Sequence, residues 1–206
     1  MYSKLASYVN LSPNCTKPRG KKIDTITIHH VAGDATVEAL GNLFASPSRQ
    51  ASANYGIGSD GRIACFVEEE NRAWTSSSSA NDDRAITIEV ANCGGAPNWP
   101  VSDKAYAALL DLCEDICRRY GFTLNFTGDK TGNLTMHKWF KATACPGPYL
   151  ESKFPDIAAQ VNGRLEKKPL YRVQVGAFHV KDNAIRMRDK LQKAGYADAF
   201  LVEAQP

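Results

Sequence analysis

The first 166 residues alternate between segments that favour strands and segments that favour helices, and this alternation constrains the fold most. Residues 23–28 (IDTITI) alternate isoleucine and threonine, which is typical of a half-buried strand. Residues 85–92 (AITIEVAN) form a second, more apolar strand-like run. Residues 103–120 instead place their apolar side chains on one helical stripe. Strands interleaved with helices predict an α/β domain, with a mixed central sheet flanked by helices.

Local capping and turn residues support further elements. Ser102 and Gly121 are suited to begin and end the helix over 103–120. Ser59-Asp60-Gly61 joins two apolar runs, and Asp-Gly between such runs predicts a hairpin. Shorter helices are expected over two more segments, 36–45 and 156–166.

Composition excludes several classes of protein. The chain has 206 residues, a formal net charge of +3 and 43% hydrophobic residues, which is too mild a charge for a typical nucleic-acid binder. No apolar run is long enough to span a membrane, so no membrane insertion is expected. The N-terminal MYSKLASYVNLS lacks the apolar core of a signal peptide. We therefore expect synthesis in the cytoplasm without export by a signal sequence.

The sequence changes character after residue 166. Residues 167–170 are expected to form a linker, because they close a charged stretch that ends in proline. Residues 171–206 then predict a small strand–helix–strand module that is too short to bury a core alone. The domain boundaries expected from sequence are therefore 1–166 for the main domain and 171–206 for the module.

Histidine and cysteine residues are the candidates for chemistry. The chain has four histidines and six cysteines. His29 and His30 end the first strand, and His137 lies eight residues before Cys145. Imidazole nitrogen and thiolate sulfur are ligands that Zn²⁺ prefers. Spacing alone leaves a second interpretation open, in which these are ordinary, partly buried residues.

Elsewhere, Cys113 and Cys117 share a helix face and are expected to be small buried apolar groups.

Four segments in order, ITIHHVAG, SANYGIGSDG, ITIEVAN and MHKWFKATACPGPYL, resemble the type 2 N-acetylmuramoyl-L-alanine amidases and peptidoglycan recognition proteins. The resemblance implies one zinc ion held by His29, His137 and Cys145. It also implies Glu89 as general base and Tyr55 as an active-site hydroxyl. Many phage relatives have lysine where this chain has Thr143, so Thr143 becomes the expected oxyanion donor, with Lys141 as the nearest alternative cation.

Further side chains are expected to line the substrate cleft. Each is also explained by ordinary packing, and the resemblance assigns none of them firmly. These expected substrate-binding residues are His30, Trp74, Arg84, Asn92 and Trp139.

The tail, with VQVGAF followed by an amphipathic helix and AGY, resembles the first half of a sporulation-related repeat (SPOR), a peptidoglycan-binding module. A half module is expected either to be a remnant or to complete its sheet in a homodimer. Together the resemblances imply a hydrolase that degrades bacterial peptidoglycan, plausibly a phage or prophage endolysin that reaches the cell wall after release. A cytoplasmic amidase that recycles muropeptides, and a non-catalytic peptidoglycan receptor, are the alternatives.

Overall fold

The computed structural model describes residues 1–166 and 173–203. The chain divides into two compact units, Met1–Lys167 and Lys168–Pro206. The expected linker at 167–170, the first two residues of the expected tail module and its last three fall outside the described residues. No helix within the described ranges is long and apolar enough to cross a membrane.

Eight strands and four helices make up the first unit. In chain order they are β1 Ala6–Val9, β2 Cys15–Thr16, β3 Thr25–His30, α1 Val37–Ala45, β4 Tyr55–Ile57, β5 Ile63–Cys65, β6 Arg72–Ala73, α2 Ser79–Asp82, β7 Ala85–Val90, α3 Asp103–Tyr120, β8 Leu134–Met136 and α4 Gly147–Glu166. The expected hairpin is confirmed, since β4 and β5 pair antiparallel.

Six of these strands form one mixed sheet in the order β1-β5-β4-β7-β3-β8. The central pairs β4–β7, β7–β3 and β3–β8 are parallel. The remaining strands, β2 and β6, pair in a separate two-stranded ribbon. The predicted α/β fold with a mixed central sheet is therefore confirmed, although the short strands β1, β2, β6 and β8 were not expected.

The two faces of the sheet differ in polarity because neighbouring residues of a strand point to opposite sides. One face carries Ile26, Ile28, Ile86 and Ile88, which join α3 and α4 in the main hydrophobic core. The other face carries the threonines of β3 and β7 between the isoleucines, and these are also buried. A second, smaller apolar cluster packs α1 against β4 and β5 through side chains that include Leu40 and Phe66.

Two helices test the sequence predictions. Helix α3 spans the predicted residues, begins with the Ser102 hydroxyl accepting from the Ala105 amide, and ends at Gly121 in the left-handed conformation. Helix α4 begins at Gly147 rather than at 156, so that prediction was too short. Pro148 occupies the first turn of this helix, where its missing N–H is not needed. Pro155 lies inside the helix, next to the buried Phe154.

The second unit contains the predicted helix, α5 Lys181–Lys193. The predicted flanking strands are not formed at the described positions, because 173–178 and 199–203 have no strand conformation. A strand needs a neighbour to accept its backbone hydrogen bonds, and this short segment supplies none. Apolar side chains of these segments, including Val173 and Phe200, are exposed.

Candidate metal centre

A histidine pair and a cysteine meet at the carboxyl end of the central strands. His29 is near the end of β3, and His137 directly follows β8, the strand beside it. Cys145 lies in the loop that leads from this point into α4. One ligand atom from each of the three residues lies within 4.8 Å of the others. The structure therefore brings together the three side chains expected to bind a metal.

The geometry of this group fits zinc. The Nδ1 atom of His29 is 3.6 Å from the Cys145 sulfur. In a tetrahedral site, Zn–N and Zn–S bonds of about 2.1 and 2.3 Å separate the two ligand atoms by about 3.6 Å. The Nε2 atoms of His29 and His137 are buried without a hydrogen-bond partner among the described residues. A thiolate sulfur and imidazole nitrogens converging on one point suit a borderline cation such as Zn²⁺.

The protonation states expected of the histidines also suit a metal. Burial lowers the pKa of His29 well below its ordinary value, and burial lowers the pKa of His137 as well. Both rings are therefore neutral near pH 7 and have a lone pair available for coordination. Burial raises the pKa of the Cys145 thiol, which a bound cation would oppose by stabilising the thiolate.

Glu89 faces the same group. It pairs in register with His29 across β7 and β3, so the two side chains project from the same face of the sheet. One carboxylate oxygen is 4.0 Å from His29 Nδ1, and the side chain is 17% exposed. The other oxygen, Oε2, is buried and has no partner in the described parts of the chain. Burial raises the pKa of Glu89 to about 8, and the Arg49 charge opposes this rise.

The His30 side chain points to the opposite side of β3 from His29, but the residue still contacts Cys145. Its backbone N–H donates to the Cys145 sulfur at 3.4 Å. Its ring meets the Trp99 indole edge to face, with centroids 5.6 Å apart. Burial lowers the pKa of His30, against a smaller raising effect of Asn92. His30 therefore lies beside the cluster of His29, His137 and Cys145, which is called the metal group below.

Tyr55 does not lie where the sequence analysis expected it. It extends from β4 into the hydrophobic core on the face opposite Glu89, and it is fully buried. Its hydroxyl donates to Glu69 at 2.5 Å and accepts from the Ser3 amide at 2.7 Å. Arg119 donates to both oxygens of Glu69 as well. The tyrosine therefore belongs to a buried structural cluster, and the expectation that it acts in the site was wrong.

Arg84 also lies away from the site in which it was expected. It precedes β7, whereas Glu89 is near the other end of that strand, about 16 Å away at the rise of a β-strand. Its guanidinium donates to both carboxylate oxygens of Asp24 at 2.6 and 2.7 Å. The expected role in substrate binding is not compatible with this position.

The remaining expected residues lie in different surroundings. The Thr143 hydroxyl accepts from the Cys145 amide at 3.2 Å and lies on an exposed loop. Asn92 is fully buried and donates to the Trp99 carbonyl oxygen at 2.7 Å. Trp139 stacks on Phe126. Trp74 donates its indole N–H to Thr16 in β2 and is not joined to the metal group by the contacts of the described residues.

A network of buried hydroxyl, amide and carboxylate groups lies on the sheet face of His29. Thr27 hydrogen-bonds to Thr135, and Asn81 donates to Thr27. Asp82, which is 2% exposed, accepts from the Ser76 hydroxyl. Its negative charge raises the pKa of His137, against the lowering effect of burial. The threonines at every second position of the strands were the sequence signal for this polar face, but their partners were not predicted.

Two further residues near the centre were missed. Trp99 contacts His30, although Trp74 and Trp139 were expected to be the aromatic residues of the cleft. Arg49 follows α1 and acts electrostatically on Glu89 from an exposed position. Neither residue belongs to a strand or helix with a clear pattern, so the sequence offered no signal that would place them.

A family model described as N-acetylmuramoyl-L-alanine amidase matches residues 19–148, more than half of the chain. A SPOR domain model matches residues 157–205, and so begins within α4. No curated protein matches the chain.

Solved structures share the fold. The AmpD structure has a TM-score of 0.60 and 20% identity, covering 76% of this chain and 96% of its own. The catalytic domain of XlyA has a TM-score of 0.59 and 16% identity, covering 75% and 97%. A mutant endolysin from Bacillus subtilis has a TM-score of 0.57 and 18% identity, with the same coverage of 75% and 97%. These similarities support the fold of the first unit.

Proposed function

Because the chain belongs to the N-acetylmuramoyl-L-alanine amidase family, we propose that it is a zinc-dependent hydrolase of bacterial peptidoglycan. It cleaves the amide bond between N-acetylmuramic acid and L-alanine. The observation that carries this proposal is the convergence of His29, His137 and Cys145 with Glu89 beside them. Three protein ligands leave one coordination position open, as in catalytic zinc sites.

Each residue of the site has a separate role in the proposed reaction. A zinc ion held by His29, His137 and Cys145 would supply a Lewis acid that acidifies water and polarises a carbonyl. The unpartnered Oε2 of Glu89 accepts a proton from the attacking water and returns it to the leaving amine of L-alanine. The Thr143 hydroxyl accepts from a backbone amide, so its own hydrogen remains free to donate to the developing oxyanion. A free glycan and a free stem peptide result.

The tail favours a polymeric substrate. A SPOR match supports binding to the cell wall, which an endolysin needs and a cytoplasmic enzyme that recycles small muropeptides does not. The apolar residues exposed around α5 support a second proposal, in which two tails pair in a homodimer. Sedimentation of the full chain tests that pairing, and a single monomeric species up to high concentration contradicts it.

The reaction is tested by incubating the chain with purified peptidoglycan and measuring new N-terminal alanine. We expect release that stops with a zinc chelator and returns when zinc is added. Glu89→Gln keeps the shape of the side chain but removes the base, so we expect at least a 100-fold loss of rate. Glu70→Gln, at an exposed position, is the matched control and should retain full activity.

Two other results would change the assignment. Zinc bound by the protein without alanine release would place the chain among the non-catalytic receptors. Activity confined to soluble muropeptides, with none on intact cell walls, would favour the recycling amidase instead.

A further inference from the structure

Trp99 has a backbone conformation that is unusual for an aromatic residue. It lies in the loop between β7 and α3 with φ at +51°, in the left-handed region that costs a residue with a Cβ atom about 1–2 kcal/mol. The loop maintains this conformation with two hydrogen bonds. The buried Asn92 side chain donates to the Trp99 carbonyl at 2.7 Å, and the Trp99 amide donates to Gly95 at 3.0 Å. These bonds hold the backbone from which the indole extends, and with it the direction of the Trp99 Cα–Cβ bond.

The fixed direction places the indole beside the metal group. Its ring meets the ring of His30, the neighbour of His29 in sequence. Gly147 is close to both residues, since an added Cβ there would lie 3.3 Å from the Cβ of Trp99 and 3.0 Å from the His30 ring. Gly147 is two residues from Cys145. Trp99 thus lies against both segments that carry metal ligands, the indole beside His30 and the Cβ beside Gly147, and the residue is only partly buried.

Other residues of the loop that carries Trp99, but not Trp99 itself, line a neighbouring surface groove in which no lining side chain is charged. Its lining includes Gly95, Pro97 and Asn98 from this loop and Pro148 and Tyr149 from α4. The substrate has two parts, a neutral glycan of N-acetylated sugars and a stem peptide that carries carboxylates. A partly exposed indole beside uncharged side chains suits the apolar face of a neutral sugar better than an anionic peptide. A cation would suit the peptide. Lys153 lies 5.7 Å from the Tyr149 ring on the α4 side of the groove, whereas no cation of the described residues lies over the Trp99 ring.

We propose that Trp99 stacks on an N-acetylated sugar that flanks the muramic acid whose amide bond is cut. The inference rests on the amidase function proposed above, and it adds a determinant of specificity for the glycan. Trp99 supplies binding of the sugar, and Asn92 holds the loop in the conformation that presents the ring.

Kinetics with two substrates of different glycan length test the proposal. One is an N-acetylmuramoyl peptide with a single sugar, and the other carries the same peptide on a four-sugar glycan. We expect Trp99→Ala to raise KM for the four-sugar substrate about tenfold, the loss of one aromatic contact, without changing kcat. For the single-sugar substrate KM should be unchanged, and Trp99→Phe should retain most of the preference. Trp74→Ala is the matched control and should behave like the wild type.

An equal loss on both substrates, or an unchanged preference for the longer one, would contradict the role of Trp99. A binding measurement separates this failure from failure of the amidase proposal, because it needs no hydrolysis. All three tryptophans precede residue 140, so tryptophan fluorescence reports on the first unit and not on the tail.

The probe is the tetramer of N-acetylglucosamine, added to the full chain. We expect it to quench the fluorescence of the wild type and of Trp74→Phe, but not of Trp99→Phe. Equal quenching in Trp99→Phe would overturn the proposal. If the wild type instead binds the tetramer through Trp99 but releases no alanine, the amidase function fails while the sugar contact stands.

Discussion

The clearest test of the structure is Tyr55→Phe, because the two interpretations of Tyr55 predict opposite results. If the hydroxyl acted in the site, its removal would lower kcat and leave stability almost unchanged. The structure instead places it between Glu69 and the Ser3 amide, in the core on the other face of the sheet. We therefore expect a loss of stability and an unchanged kcat for the folded protein.

The size of the loss follows from the contacts. Glu69 is fully buried and loses one of its donors, but it keeps the two bonds from Arg119 and one from Tyr120. A hydrogen bond to a charged group contributes about 1.5–3 kcal/mol, and the Ser3 amide is left without an acceptor. A net loss of about 2–4 kcal/mol in the free energy of unfolding is expected, which lowers Tm by roughly 4–16 °C for a protein of this size.

Urea unfolding at 25 °C, followed by far-UV circular dichroism, measures the first quantity, and alanine release from peptidoglycan measures the second. Tyr120→Phe is the control, since its hydroxyl also donates to Glu69 but lies at a partly exposed position. Its expected loss is smaller, about 1 kcal/mol. A Tyr55→Phe protein of wild-type stability with a kcat reduced 100-fold or more would refute the placement of this hydroxyl.

Three further predictions concern other parts of the molecule. Cys145→Ser should lower the zinc content, measured by atomic emission after dialysis, from about one ion per chain to well below that, because a hydroxyl is a poorer zinc ligand than a thiolate; undiminished zinc would contradict the ligand set. Gly147→Ala should reduce alanine release and Tm together, because φ is +81° there and the new Cβ would meet the His30 ring; wild-type values for both would contradict the packing described. Arg19→Ala should lower the free energy of unfolding in urea by about 3 kcal/mol. The Arg19 guanidinium donates to backbone carbonyls just before β6, just before β7 and at the start of β7. A loss below 1 kcal/mol would show that water replaces these bonds.

Periodicity predicted the parts of the fold in which a local pattern and burial agree. Helix α3 has an apolar stripe together with a capping serine and a terminal glycine, so its span was found from the sequence. Strands of two to four residues, such as β2 and β8, are too short to show a period of two. Helix α4 was predicted only over 156–166, where Ile157, Val161 and Leu165 show helical spacing, and its first turns, which contain Pro148 and Pro155, were missed.

The tail shows the limit of a local pattern. Alternation in YRVQVGAF and ADAFLVE indicated strands, yet the described positions of both remain without strand conformation. Alternation along a sequence indicates which side chains share a face of a strand. It does not supply the neighbouring strand that accepts the hydrogen bonds. Helix α5 needs no such neighbour, since its backbone bonds are internal, and it was predicted correctly.

The same distinction explains which site residues the sequence could identify. Alternation placed His29 and His30 on opposite faces of β3, and the resemblance named Glu89, but neither fixes which residue of β7 lies beside His29. That depends on the register of two parallel strands, which pairs His29 with Glu89 and Thr27 with Thr87. A slip of one residue would move Glu89 to the hydrophobic face and bring Ile88 to the metal group. The isoleucines at every second position oppose such a slip, because it would expose them to the polar face. The core pattern of the two strands therefore determines that Glu89 lies beside His29.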